Sequence, residues 1–386
     1  MTASPSPTSR ADNHHLRVAV LHNYGDERQP SMRLYADRLG NALVRQGVSV
    51  TRLRPTPIVP DAWQARSPTW AKLDIQFGRF AVYPRLVRKL DADVIHVIDH
   101  GQAYLLDSLD PARTVVTCHD VILLALAHGR IGSAAVPPIA LQILHLSLEL
   151  MKRAAAIVAD SESTKRDLVD FIGLPPHRVT VIAPGLNQAF SPDAERGAAT
   201  RRRLALGDGP LILHIGRAFY KNISGVLRVV HALRAQGTAA RLVRTGRPLS
   251  GSDRDLAERL GILHAVVELR GVPDEELPGL YNAVDLLLFP SLYEGFGWPP
   301  LEAMASGTPV VCSRAGSLGD VVGDAALTAD PENIGALTWH SAALLGDARL
   351  RRALVERGLA HARQFSWERT ARELIGVYRD VLARVA

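Results

Sequence analysis

Short runs rich in valine and isoleucine alternate with longer helical patterns along this chain, and the whole series occurs twice. LRVAVLHNY (16–24), VSVTRL (48–53), DVIHVID (93–99), RTVVTCHD (113–120), AAIVADS (155–161) and RVTVIAP (178–184) form the first series. PLILHIGRA (210–218), ARLVRTG (240–246), AVVELRG (265–271), VDLLLFPS (284–291), TPVVCS (308–313) and AALTAD (325–330) form the second. Near-continuous apolarity is what a parallel strand covered on both faces requires. Strands separated by helices build parallel sheets, so two such series predict an α/β chain of two doubly wound, Rossmann-like domains.

Between Gly185 and Gly209 the chain carries SPDAERGAATRRR and no strand pattern, so the join is expected there. This gives an N-terminal domain over 16–185, a linker over 186–209 and a C-terminal domain over 210–365, with a closing amphipathic helix over 366–386. The opening MTASPSPTSRADNHH is polar and rich in proline and serine, which predicts a disordered arm over 1–15 and not a secretory signal. SMRLYADRLGNALVRQG (31–47) reads as a helix, with Leu34, Leu39, Ala42 and Leu43 on one face and Gly47 as its C-cap.

Composition removes several function classes. With 386 residues, 47% of them hydrophobic, the chain can bury a sizeable core. Its two cysteines, Cys118 and Cys312, end apolar runs, as small buried hydrophobes of a reducing compartment do. A cytoplasmic location is expected, with a peripheral position at the inner membrane face as the alternative. No apolar run approaches the ~18 residues of a spanning helix. The net charge of +6 is not gathered into a strongly basic block. With no zinc-finger spacing and no RNA-binding signature, nucleic acid is not an expected partner.

The segment SLYEGFGWPPLE (291–302) carries the chemistry. It begins at the end of an apolar strand and runs into a helix whose first turn suits Pro299 and Pro300. Glu294 and Gly295-Phe296-Gly297 fall in the loop beyond the strand's carboxyl end, where open parallel sheets bind ligands. Glu302 falls in or near the first helical turn. Glycines let backbone approach a ligand, helix N-termini offer N–H groups to phosphate, and carboxylates accept hydrogen bonds from paired hydroxyls. A nucleotide sugar has all of these parts. The alternative is that Glu302 complements the helix dipole and Glu294 is a solvated loop residue.

Here the sequence resembles the retaining nucleotide-sugar glycosyltransferases of family 4, which have the GT-B fold. Their signature of two glutamates with seven residues between them stands as EGFGWPPLE, and HIGRAFYKN (214–222) is similar to their Gly-Arg and Lys-Asn pairs. The resemblance implies that Gly216, Arg217 and Lys221 hold the donor diphosphate and offset charge on the leaving group. It implies that backbone at Gly271 and Val272 borders the base, that Glu294, Gly295, Phe296 and Gly297 bind the donor sugar, and that Glu302 binds ribose. TVVTCHDVILL (114–124) resembles the family's strand-end His-Asp, which places His119 beside the reacting carbon, bonded to sugar hydroxyls, with Asp120 orienting that region. Ser161 matches a family serine but reads equally as a helix N-cap, and it is not assigned a catalytic role.

One departure stands out. The family's Gly-Gly loop after the first strand is HNYGDERQP here, with the single glycine Gly25 as its donor contact and Asp26, Glu27 and Arg28 as acceptor-side candidates. The expected catalytic set is therefore His119, Arg217, Lys221 and Glu294. No metal site and no cofactor is expected, the nucleoside diphosphate sugar being a substrate. UDP- or GDP-linked donors are expected, and the acceptor is a glycan, a lipid-linked sugar or a small molecule. Two alternatives share the fold: a sugar-nucleotide epimerase, and a non-catalytic nucleotide-sugar binding subunit. FGRFAVYPRLVRKL (77–90) mixes aromatics with Arg79, Arg85, Arg88 and Lys89, which suits either an anionic bilayer surface or a helix packed before the third strand.

Overall fold

The computed structural model describes residues 16–23, 30–55, 74–132, 136–186 and 190–386. All twelve apolar runs are strands. The first series gives β1 (Arg17–Leu21), β2 (Ser49–Leu53), β3 (Val94–Val97), β4 (Thr114–Cys118), β5 (Ala156–Ala159) and β6 (Val179–Val181). The second gives β7 (Leu211–Gly216), β8 (Arg241–Gly246), β9 (Val266–Leu269), β10 (Leu286–Phe289), β11 (Val310–Ser313) and β12 (Leu327–Ala329). Every pairing is parallel, in the orders β2-β1-β3-β4-β5-β6 and β12-β11-β10-β7-β8-β9.

Burial follows position in the sheet. Every residue of β3, β4, β10 and β11 is buried, whereas the edge strand β2 exposes Ser49, Thr51 and Arg52. Central strands are covered by helices on both faces, which is why their sequences are unbroken apolar runs.

The chain forms two compact units, each with its own core. The first takes the described residues up to Leu124, then 136–186 and Ser366–Ala386; the second takes 125–132 and 190–365. In the first, Leu21, Val97, Val116, Cys118, Ile157 and Leu168 lie in one apolar cluster. Ile212, Leu242, Leu288, Val311 and Val230 do so in the second. Strand order reverses between β1 and β3 in the first sheet and between β7 and β10 in the second. At such a reversal the crossovers leave on opposite faces and open a crevice beyond the strand ends.

The stretch expected as a linker holds a helix, Ala194–Arg203, that belongs to the second unit. Asp193 caps it by accepting from the Arg196 N–H, Glu195 lies in its first turn, and three arginines close its last turn. Those are ordinary helix-end signals that a search for strands passes over. The helix packs against Leu277–Asn282, where a Cβ on Gly197 would come 2.3 Å from the Asn282 carbonyl oxygen. The last helix, Trp367–Ala383, buries Trp367, Ala371, Leu374, Tyr378 and Val381 against the helix Pro30–Arg45 of the first unit. Its Tyr378 hydroxyl lies 2.7 Å from His96 Nδ1 on β3.

The basic aromatic stretch is a helix containing a wide turn over Gly78–Val82, followed by Tyr83–Val87. Tyr83 and Val87 are buried, and the Tyr83 hydroxyl meets the carbonyls of His22 and Leu53. Phe77, Phe80 and Leu86 stay exposed. No helix among the described residues is long and apolar enough to cross a membrane.

Candidate active site

In the second unit, β7 ends at Gly216, and Arg217 follows it, exposed. A single turn, Phe219–Lys221, then leads to Asn222 in the left-handed region at φ 56°, whose side chain accepts from the Gly225 N–H and caps the helix Ile223–Ala235. This turn folds Lys221 back over the end of its own strand. A Cβ on Gly216 would stand 2.6 Å from Lys221 Cγ, and one on Gly246, at φ 125° on β8, only 2.1 Å from the Gly216 carbonyl oxygen. Only glycine fits at either position.

The other half of this site follows β10. Lys221 Nζ lies 2.6 Å from Glu294 Oε1, and both side chains are largely shielded. The ammonium also sits 4.9 Å from the centre of the Phe289 ring, which closes β10. Residues after β11 hold the Glu294 loop in place. The Ser317 N–H donates to the Glu294 carbonyl at 3.1 Å, the Ser317 hydroxyl to the Phe296 carbonyl at 2.6 Å, and the Ser313 hydroxyl to the Ser291 carbonyl at 2.5 Å. Gly295 lies within this clamped loop. Phe296 is buried with its ring against Trp298 and Phe365, so its backbone, not its ring, is what this loop can offer a ligand.

The helix after the loop, Trp298–Ala305, departs from expectation. Gly297 precedes it at φ 100°, and Pro299 and Pro300 occupy its first turn. Proline has no N–H, so two of the donors that a helix start would offer a phosphate are missing. Fewer donors remain here for an anion near Glu294, which gives Arg217 and Lys221 the larger share of that task.

Glu302, further along the same helix, is buried and accepts from the Tyr281 hydroxyl at 2.7 Å. Burial lifts its pKa to about 7 against the opposing Tyr281 hydrogen bond, and Asp274 lifts it further. The two glutamates thus have different partners, Lys221 for one and Tyr281 for the other. A separate pocket in this unit is bordered by Gly271, Val272, Arg270, Thr200, Arg203 and Leu280. Gly271 is at φ 60° with open space where a Cβ would be.

In the first unit, residues beyond β1 and β3 meet where that sheet reverses. The Asn23 side-chain amide donates to Asp99 Oδ2 at 2.6 Å. One strand further, His119 follows β4, with Nδ1 2.6 Å from Asp160 Oδ2 and Nε2 2.7 Å from the Ile98 carbonyl. Both ring nitrogens face acceptors, an arrangement that favours the doubly protonated ring. Burial opposes the charge, but Asp160, and behind it Asp99, outweigh burial and hold the pKa at about 9. Both ring nitrogens are thus engaged within the first unit, by Asp160 and by the Ile98 carbonyl. Asp120 accepts from the Ile122 N–H at 3.1 Å at the start of the next helix, and Ser161 caps Glu162–Ile172. Gly25 and its neighbours Asp26, Glu27 and Arg28 lie outside the described residues.

Two family models match the chain, one described as Glycosyltransferase Family 4 over residues 32–190 and one as Glycosyl transferases group 1 over 198–361. Over 306 residues the chain is 31% identical to the O-antigen chain mannosyltransferase B of Escherichia coli, covering 77% of this chain and 78% of that protein. The chain belongs to glycosyltransferase family 4.

Other relatives of this family 4 glycosyltransferase include the MMP alpha-(1->4)-mannosyltransferase of Mycolicibacterium hassiacum, 32% identical over 62% of this chain and 58% of its own length. The D-inositol 3-phosphate glycosyltransferase of Acidothermus cellulolyticus is 34% identical over 61% of this chain and 55% of its own length. The chain thus spans little more than half of these two relatives. Among solved structures, the sucrose-phosphate synthase of Thermosynechococcus elongatus aligns over 96% of this chain and 100% of its own, with a TM-score of 0.71 at 19% identity. The Anabaena protein HepE, solved with UDP and glucose, aligns over 95% and 100%, with a TM-score of 0.71 at 17% identity. At these identities the likeness establishes the GT-B fold.

Several residues of this glycosyltransferase's site escaped the sequence reading. Tyr281, the partner of Glu302, sits in a helix with no motif of its own. Asp160 was read only as the end of a strand, though an acid closing an apolar run next to a strand-end histidine was a usable signal. Ser317 and Gly316, which brace the Glu294 loop, lie in a different β/α unit, and nothing local to the glutamate motif points to them.

Proposed function

We propose that this protein transfers a glycosyl group from a nucleoside diphosphate sugar to an acceptor hydroxyl, with retention at the anomeric carbon. The observation that carries this reading is the Lys221–Glu294 pair at the reversal point of the second sheet, with Arg217 beside it at the end of β7. In the donor-free protein, cation and carboxylate neutralise each other. A bound donor supplies a new partner for each: the diphosphate for Lys221 and Arg217, and the sugar hydroxyls for Glu294. As the bond to the sugar breaks, charge grows on the leaving diphosphate, and two fixed cations favour that state over the ground state. In this reading the side chains supply the charge that a divalent ion supplies elsewhere, and excess EDTA leaves turnover intact.

The pocket at Gly271 and Val272 suits a base, and Glu302 suits ribose hydroxyls. His119 acts in this reading as a fixed positive charge that ties the ends of β3, β4 and β5, and not as a proton shuttle. A lipid-borne acceptor accords with Phe77, Phe80 and Leu86 exposed beside Arg85, Arg88 and Lys89. Retention of the protein on anionic but not neutral vesicles is the expected sign.

Thermal unfolding with UDP-, GDP- and ADP-sugars tests the donor reading, since a ligand that binds only the folded state raises the melting temperature. One class should stabilise most, and Lys221→Ala should abolish its effect. If no nucleotide sugar stabilises the protein, the reading falls. Product analysis with and without acceptor separates transfer from epimerisation.

A further inference from the structure

A cavity of about 640 Å³ in the second unit opens at the carboxyl ends of β10, β11 and β12, and none of the roles above uses it. Its size falls within the roughly 300–1,000 Å³ of small-molecule sites. Leu292, half-buried, gives it an apolar side, backed by the buried Ile131; Arg130, Arg314, Asp330 and Glu332 surround it, exposed. We propose that it holds a neutral sugar ring of the acceptor, next to the place where the transferred sugar is bound. The inference rests on the donor reading above and adds the acceptor's chemical class.

The charges are balanced, two guanidiniums against two carboxylates. A hydroxyl both donates and accepts, so a ring bearing several hydroxyls satisfies groups of both signs, while its carbon face covers Leu292. A phosphate would meet the arginines but also be repelled by Asp330 and Glu332.

The cavity wall is also tied to the donor side. The Leu292 N–H donates to the Tyr220 carbonyl at 2.7 Å, and the Asn222 side-chain amide donates to the carbonyls of Pro290 and Pro331 at 3.1 and 2.9 Å. Tyr220 and Asn222 flank Lys221, and Leu292 stands two residues before Glu294. The wall that a sugar ring would touch is therefore continuous with the backbone that positions the Lys221–Glu294 pair.

Titration of α-mannotriose and maltotriose, followed by saturation-transfer NMR in the presence of the stabilising nucleoside diphosphate, tests this. Inositol phosphate serves as the anionic comparison. At least one neutral oligosaccharide should bind, and Arg130→Ala and Glu332→Ala should each weaken it about tenfold or more while the nucleotide-induced melting shift stays as in the wild type. Both replaced side chains are exposed, so the fold should survive either change. Binding of neither oligosaccharide by the wild type, wild-type affinity in both variants, or inositol phosphate binding that strengthens in Glu332→Ala would each overturn the inference. Loss of the nucleotide shift in the wild type would instead overturn the donor reading.

Discussion

Lys221 and Glu294 form a 2.6 Å ion pair across the two strands, β7 and β10, between which the order of the second sheet reverses. The pair is the point where topology becomes chemistry. The turn after Gly216 folds a cation back over the end of β7, and Ser313 at the end of β11 with Ser317 beyond it holds the loop that brings the acid.

Removing one partner of this pair strands the other. Lys221→Ala should destabilise the donor-free protein by about 3 kcal/mol, as expected when a largely buried charge loses its partner. Turnover should fall about 10²–10³-fold, the usual effect of deleting a group that stabilises developing charge. Adding Glu294→Gln to Lys221→Ala should recover much of the stability and none of the turnover. Denaturant unfolding and initial rates on the wild type and both variants check this, and near-normal turnover in Lys221→Ala would remove that residue from its role.

Glu302 makes stability depend on pH in a direction opposite to most carboxylates. Its folded-state pKa is raised by burial from the usual 4.5 to about 7. A raised carboxylate pKa means that the folded state holds the proton more tightly. The associated stability is therefore full below about pH 4.5 and is lost as pH rises through 7. At about 1.4 kcal/mol per pKa unit, the loss approaches ~3 kcal/mol by pH 8. Glu302→Gln should flatten this part of the stability profile. Ribose hydroxyls favour the ionised acid, so nucleotide affinity should rise over the same range in the wild type and lose that slope in Glu302→Gln.

The strands were legible because a buried parallel strand has no polar positions to disguise it. The Glu294 motif, Gly216 and Lys221 were legible for a related reason, since each is local to the end of one strand. What could not be read were relations between units of sequence. Tyr281 reaches Glu302 from another helix, Ser317 reaches Glu294 from the next crossover, and Asp160 reaches His119 from 41 residues away. The same prolines that announce the helix Trp298–Ala305 remove two of the N–H donors its start would offer a phosphate.

His119 should be an imidazolium at neutral pH, since its nitrogens face Asp160 and the Ile98 carbonyl. Nitrogen-15 NMR of the ring at pH 7.5 should show both nitrogens protonated. With a folded pKa of about 9 against 6.5 unfolded, the pair's stabilisation is full below pH 6.5 and is lost as pH rises through 9. Asp160→Asn removes the charge that holds the proton, and it should cost about 3 kcal/mol or more at pH 6 and less at pH 9.5. A neutral His119 ring in the wild type at pH 7.5 would refute the assignment.

Gly316 tests whether the clamp on the Glu294 loop matters to function. It lies at φ 59°, and a Cβ there would come 2.5 Å from the Glu294 carbonyl oxygen and 2.7 Å from its nitrogen. Gly261 is a fair control, because it has a similar φ of 67° but nothing within 4 Å of the added carbon. Gly261→Ala should carry only the backbone term, about 1–2 kcal/mol, with turnover unchanged. Gly316→Ala must in addition push the Glu294 backbone away, which shifts the carboxylate relative to Lys221. A displacement of about 1 Å at a reacting group can lower the rate about 100-fold. The expected result is therefore a mild loss of stability with full turnover in Gly261→Ala, and a lower melting temperature with turnover about 100-fold down in Gly316→Ala. Equal turnover in both would show that the glutamate's position is set by something other than this clamp.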